Sequence, residues 1–495
     1  MCLERYVSEF NAEDKEYYRN DIDNIHSLEW MQEEIPLLEC PDTEIERTYY
    51  FRWWVYRKHI KKTPEGSMIT EFLPPVPWSG KYNLINAAAG HHIMEGRWLK
   101  HAERYLTDYI YFFLTNRQEG MRYSSWLIWA AKEFQKVTGS INLSNFLKEA
   151  ISYYYAWEEA RQTECGLFWS LDDRDAMEFS ISGTKNGKPT KGIRPTLNSY
   201  MYGDAAAIYA LSVQCGKPLE EFRLKAEKIR QRMWQLLWRD GFFKALHPAD
   251  ETFSRVKDMV SEKIPKELIG YIPWYFGIPK QGHENVFLFL EDPKIFGTEF
   301  GITTAEQSHP AFLYHAEHEC LWNGYIWPFA TSQTLTALIQ AAEVDRDVYG
   351  GLFCRLLRQY AQQHNRTVQG GEKIMWIDEV KAPYEDVWSS REILKNWNWP
   401  KEKGGYERGK DYNHSTFCDL VITGLAGIRI IDEKVFFRPM IPKTWQYFRL
   451  DHLYVLGDNY QIVYDKTGEK YGRRGWTVYQ NGVIVPDRVC GVACQ

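Results

Sequence analysis

The chain has 495 residues, with 60 Lys and Arg against 66 Asp and Glu and a formal net charge of -6. No broad basic field is available to hold nucleic acid or an anionic lipid surface, so both partners are excluded at this level. The 44% hydrophobic and 25% charged shares are those of a globular chain, and no run approaches the roughly 20 apolar residues of a membrane span.

The first stretch, MCLERYVSEFNAEDKEYY, is acidic and polar and lacks an apolar signal region, which points to the cytoplasm. Residues 1–40 are expected to pack on the outside of the main body. Apolar residues then recur at three- and four-residue intervals, predicting helices over 42–62, 96–114, 125–137, 145–161, 200–214, 219–237, 328–342, 348–363 and 416–426. Asp42 and Asn145 are placed as N-caps. Short turns alternate with long loops rich in Gly, Pro and aromatics, over 64–83, 172–198 and 244–310. That alternation suggests a helical barrel whose long-loop end carries a site. Past Gly427 the pattern changes to short strands, over 428–431, 435–438, 450–456, 461–465 and 476–480, broken by turns such as Asn481-Gly482. The expected organisation is an extension over 1–40, a barrel over 41–427 and a small β-rich unit over 428–495.

Nine Cys are scattered without CxxC pairs, so buried apolar roles are expected rather than disulfides or zinc ligands. His91-His92 and the His315/His318 pair lack the HExxH order of a metalloenzyme. No nucleotide fingerprint or phosphate loop is present. Neither a metal nor another cofactor is expected.

Four segments can carry chemistry. Asp172, Asp173, Asp175 and Glu178 fall within seven residues, beside Phe168, Trp169 and Phe179. Crowded carboxylates repel and aromatic walls desolvate, so one of them can keep a proton near neutral pH, as the acid of glycoside hydrolysis must. The plainer alternative is a solvated acidic loop, or one paired with Arg174. The second segment, Met375-Trp-Ile-Asp-Glu379-Val-Lys-Ala-Pro383, puts Glu379 where a helix or strand empties into a loop. The third is Trp322-Asn323-Gly324-Tyr-Ile-Trp327-Pro328, a turn running into a helix start. The fourth runs over 411–419 and holds Tyr412 and His414; such a His is more often a hydrogen-bonded wall residue than a catalyst. With 20 Trp and 32 Tyr, many beside polar residues, the composition suits flat sugar rings ringed by hydroxyls.

At these segments the sequence resembles the inverting (α/α)6-barrel glycosidases that include trehalases, mannosylglycerate hydrolase and the family 63 α-glucosidases. The likeness covers roughly residues 40–430. Those families carry a Gly-Met/Trp-Asp-x-Ser motif whose Asp is the general acid, and Ala176-Met177-Glu178-Phe179-Ser180 is the matching stretch. The resemblance makes Glu178 the acid, with Asp175 as the alternative. Their Trp-x-Gly-Pro-x-Trp-Pro helix start resembles the stretch from Trp322 to Pro328, with Tyr325 in place of the first Pro. Their general base lies in Glu-x-Tyr-x-Pro-x-Thr-Gly. Glu379 and Pro383 match it while the Tyr and Thr-Gly are missing, and Glu385 is the fallback. Tyr412-Asn-His-Ser415 resembles the families' closing turn. The resemblance implies a mainly α (α/α)6 toroid with a small C-terminal β appendage, acting on an α-glucoside or α-mannoside with inversion. The two carboxyls should stand about 6.5–9.5 Å apart. Arg122 and Arg194 are candidate clamps. Trp78, Trp169 and Trp327 are candidate sugar platforms, and Trp126, Asn198, Tyr200 and Asp204 are further pocket residues. A small glycoside or oligosaccharide is the expected partner.

Two other readings share the same barrel. An epimerase or lyase would run on His414 and His91, and a non-catalytic oligosaccharide-binding protein would not need the carboxylates for turnover.

Overall fold

The computed structural model describes residues 2–18, 20–247, 264–368, 370–486 and 488–489. Helices α1 (Cys2–Glu13) and α2 (Ser27–Glu34) precede the barrel. The barrel is built from α3 (Thr43–His59), α4 (Ala89–Gly96), α5 (Ala102–Thr115), α6 (Leu127–Thr138), α7 (Leu143–Arg161), α8 (Pro195–Gln214), α9 (Glu220–Leu236), α10 (Pro328–Ala342) and α11 (Gly351–Gln363). Helices α3, α4, α8 and α10 are buried on nearly every side. By contrast α7 and α9 bury a single stripe; in α9 it is Phe222, Ala226, Ile229 and Met233, one residue per turn. A wholly buried layer inside a one-sided layer is the pattern of an (α/α)6 toroid.

Local chemistry sets most of the boundaries. The Asp42 side chain accepts from the N–H groups of Glu44 and Ile45 at 3.1 and 3.2 Å and so starts α3. Asn142, not Asn145, caps α7, and Gly139 closes α6 at φ +66°. Three expected helices are interrupted. The one over 42–62 stops at His59 and continues as strand Ile60–Thr63, folded back on Gly66–Ile69. The one over 96–114 is preceded by the separate α4, with a turn at 97–101 between them. The one over 416–426 is a single turn, Cys418–Leu420, run into a wider π turn, Val421–Leu425.

Beyond Gly427, β2 (Ile428–Ile431) and β3 (Lys434–Phe437) form a hairpin. Strands β4 (Tyr447–Val455), β5 (Asp458–Asp465), β6 (Gly475–Gln480) and β7 (Val483–Ile484) form an antiparallel sheet. One of its two edge strands is β1 (Leu37–Glu39), with Leu37 opposite Asp451 and Leu38 opposite Leu450. The first forty residues therefore do more than cover the outside. Helix α1 packs on α3 through Phe10 against Phe51 and Trp54, and Tyr6 donates to Glu46 at 2.9 Å. Asp14 lies buried between Lys58 (2.9 Å) and Lys410 (2.7 Å), next to the turn that carries Tyr412. Among the described residues no helix is long and apolar enough to cross a membrane.

Candidate active site

Glu178 sits on a contorted loop. Ala176 and Phe179, on either side of it, both hold positive φ, +56° and +59°. Residues with a Cβ avoid that region at a cost of about 1–2 kcal/mol, so the turn is imposed by its anchors. The anchors are visible. The Met177 N–H donates to the Asp172 carbonyl at 2.9 Å, the Trp322 N–H to the Glu178 carbonyl at 3.0 Å, and the Tyr314 hydroxyl to the Phe179 carbonyl at 2.9 Å. The half-buried Glu178 carboxyl has no cationic partner among the described residues. Burial first, then the negative charges of Asp172 and Glu379, push it up to about 8 against the pull of a backbone N–H. A group so placed carries its proton at neutral pH.

Glu379 follows the short strand Lys373–Met375 and is buried, with 5% exposure. One of its oxygens takes an ion pair from Arg408, whose other nitrogen donates to Glu319 at 2.8 Å. Gly409 lets this segment lie against Asp378 and Glu379, because a Cβ there would stand 2.2 Å from an Asp378 oxygen and 3.4 Å from the Glu379 Cγ. Burial raises the Glu379 carboxyl and Arg408 opposes it. Burial is thus common to Glu178 and Glu379, and the guanidinium is what separates them. Glu178 feels the charge of Glu379, and Cys320 and Tyr412 beside them feel both.

A third carboxyl, Glu71, belongs to the same group. It is buried, accepts from the Ser79 hydroxyl, and is pushed up to about 8 by burial and then by Glu379, against Ser79 and Arg408. Aromatic rings connect these groups. Trp322 stacks on Trp327 at 4.6 Å, Trp327 meets Tyr412 edge-on at 6.4 Å, and Tyr412 lies 4.6 Å from His414. His414 stacks on Phe72, and Arg408 spans the faces of Phe72 and Trp78 at 5.5 and 5.2 Å. The ring of groups therefore includes Trp78, Trp322, Trp327, Tyr412 and His414 from the expected set. Gly324, at φ +135°, packs directly under Phe312, and the Asn323 amide donates to the Tyr314 carbonyl at 2.7 Å.

Other expected residues hold the scaffold. Asp175 accepts from Ser124 (2.6 Å), Ser170 (3.1 Å) and Arg194 (2.8 Å), which leaves both its oxygens engaged and Arg194 committed to it. Asn198 staples the backbone of Phe168 in both directions, at 2.8 and 2.9 Å. Tyr200 accepts from Gln333 and lies against Trp126, which is itself wholly buried with His91 and Phe329. Asp204 accepts the Trp129 N–H at 2.9 Å and so caps α6 from a neighbouring helix. Arg161 and Lys191 both lie over the Trp169 ring, at 4.0 and 4.6 Å. Arg122 donates to the Trp78 carbonyl and pairs with Glu119 at 3.5 Å. Glu385 is exposed. Burial drives His414 down to about 3 and holds His91 well below the usual range, so both rings are neutral and poor bases. The ligand atoms of His318, Glu319 and Cys320 lie close enough to share a metal ion. Glu319 is already bound to Arg408, however, and His318 accepts the Cys320 N–H at 3.0 Å.

Sequence reasoning missed Glu71, Arg408, Glu319 and Cys320. Glu71 stands in a loop already marked by its Pro and aromatic content; nothing local distinguishes Arg408.

Residues 81–415 match the family described as the mannosylglycerate hydrolase MGH1-like glycoside hydrolase domain. A solved structure described as a sialidase is 34% identical with a TM-score of 0.84, over 97% of this chain and 43% of that one. The chain thus spans less than half the length of that protein. The GH63 mannosylglycerate hydrolase of Thermus thermophilus, in complex with glucose, aligns at a TM-score of 0.52 and 12% identity, over 76% of this chain and 99% of that one. The alpha-L-rhamnosidase of Streptomyces avermitilis, complexed with L-rhamnose, aligns at 0.51 and 10% identity, over 91% and 38%. These two likenesses are of fold. By the match over most of its barrel, the chain belongs to the mannosylglycerate hydrolase MGH1-like glycoside hydrolases.

Proposed function

We propose that the protein hydrolyses the glycosidic bond of an α-linked sugar, of α-glucoside or α-mannoside type, with inversion. The observation that carries this reading is the unequal partnering of two desolvated carboxyls, half-buried Glu178 with no cation among the described residues and buried Glu379 held by Arg408. Glu178 donates its proton to the leaving oxygen as the bond to the anomeric carbon breaks. Glu379 takes a proton from water as that water attacks the opposite face, and the product leaves with the inverted configuration. Asp175 is less suited to the acid role, because its oxygens already accept from two hydroxyls and a guanidinium. Trp78 offers a partly open ring as a platform. The Trp322 Nε1 and Asn323 Oδ1 atoms, buried without a protein partner, suit sugar hydroxyls. The seven described cysteines are all free, which supports a reducing, cytoplasmic setting.

The test is a screen of aryl and natural α-glycosides, with proton NMR of the first anomer released from any hit. Release of the opposite anomer is expected. A retained anomer would overturn the assignment of Glu379 as base, and turnover confined to β-glycosides would overturn the α-linkage alone.

A further inference from the structure

We infer that the protein holds a second binding site, a cleft at the end of the barrel away from Glu178 and Glu379, which takes a small organic anion carrying a phosphate or a carboxylate. This site stands apart from the hydrolase reading and does not depend on it.

One face of α6, the turn that follows α4, the far half of α10 and strand β2 enclose the cleft. Trp129, Lys132, Glu133 and Lys136 recur along α6 at steps of three and four, so a single helix face presents an aromatic ring, two ammonium groups and a carboxylate. Arg97 enters from the turn, and Asp419 from the short helix Cys418–Leu420. Trp327, where α10 begins, stacks on Trp322 in the active site; Gln340, on the cleft, lies about 20 Å further along that helix. The cleft holds about 310 Å³, enough for a small molecule.

Among the described residues lining it, Arg97, Lys132, Lys136 and Arg429 face only Glu133 and Asp419. Glu343, outside the cleft, pairs with Arg429 at 2.6 Å, which leaves three cations to two carboxylates. The two lysines share one Glu133 oxygen, at 2.7 and 3.0 Å. Arg97 gives one terminal nitrogen to Asp419 at 2.7 Å and the other to the Met94 sulfur, a weak acceptor, while its Nε is buried without a partner. Burial, against Glu133, drives Lys132 down to about 8, and Lys136 and Arg97 add to the push. With Arg97 and Lys132 only 4% and 7% exposed, water does little to spread their charge. An oxyanion held between them adds an acceptor and relieves the repulsion among the cations. Trp129 and Ile430 supply an apolar wall for its carbon body.

The test is calorimetric titration of the whole protein at neutral pH and low salt with phenyl phosphate, benzoate and uncharged benzyl alcohol. Saturable binding of phenyl phosphate or benzoate is expected, with a Kd below about 1 mM that weakens as salt is added, and none of benzyl alcohol. The tighter of the two anions names the head group. Lys132→Met keeps the bulk beside Trp129 and should weaken that anion about tenfold or more, the scale of a lost hydrogen bond to a charged group. Lys136→Gln, at an exposed position, should weaken it about threefold and keeps the test alive if Lys132→Met does not fold. The inference is overturned if neither anion binds, if benzyl alcohol binds as tightly as the anions, or if both variants bind the anion like the parent.

Discussion

Two arginines organise the acidic residues of this protein, and they do so in opposite ways. Arg194 faces Asp175, whose oxygens also accept from Ser124 and Ser170, so that each oxygen has at least one donor. Arg408 faces Glu379 and Glu319, and Glu379 is held through one oxygen only. Three residues along from Asp175, Glu178 has no cation among the described residues. A saturated carboxylate is a structural tie, because nothing more can be asked of it. A carboxylate left partly free, or wholly unpaired, in a buried place is costly to keep and is retained where chemistry uses it.

That contrast can be broken at either arginine. The largest effect should come from Glu178 and Glu379. Glu178→Gln and Glu379→Gln should each cut kcat by about 10²–10⁴-fold, the usual weight of a general acid or base, with the unfolding midpoint nearly unchanged. Equal loss of stability and rate would show that these residues are ties as well. Next comes Asp175→Asn, which leaves Arg194 without its counter-charge and should cost about 3–5 kcal/mol in chemical denaturation. Its rate per folded molecule should suffer less than that of Glu178→Gln. If Asp175→Asn is as stable as the parent, the comparison fails. The third is Arg408→Met. Arg408 is the group that lowers Glu379, so its removal moves the acid limb of the pH–rate profile upward. With Glu178 as the proposed acid its protonated form sets the alkaline limb, and the rate should fall as pH rises through about 8 in both proteins. An acid limb that stays put would remove Arg408 from the argument. The smallest is Ala176→Gly. Ala176 holds φ +56°, so glycine should stabilise the fold by about 1 kcal/mol in a urea titration and leave the rate alone.

Ala176 also shows how far the sequence could be read. The relatives' motif has Gly there, and the structure gives the reason, a left-handed turn that this chain makes with Ala. The motif order singled out Glu178 and Glu379, two carboxyls that act together on Cys320 and Tyr412, and α10 occupies the interval its apolar spacing predicts. Periodicity failed where the chain turns sharply inside an apolar run, as at 97–101 between α4 and α5, because spacing does not register a break that keeps the same face buried. Local pattern does not tell a pocket residue from one that ties the scaffold. Asn198, Tyr200 and Asp204 look like a polar pocket in sequence; in the structure all three are buried, with Asn198 bonded to the Phe168 backbone, Tyr200 to Gln333 and Asp204 to the Trp129 N–H. Arg408 was illegible for a different reason. Its partners lie 29 and 89 residues away, and nothing in a linear pattern brings a Gly-rich turn onto Glu379 or Glu319.

Strand β1 pairs with β4, more than four hundred residues later. During synthesis on the ribosome the early strand must wait, unpaired, until β4 has emerged. Domains commonly settle in the order they are made, but this sheet cannot, so its first strand is a segment for chaperones to shield. Deleting residues 37–39 would leave the barrel helices in place and bare the backbone of β4 as a sticky edge.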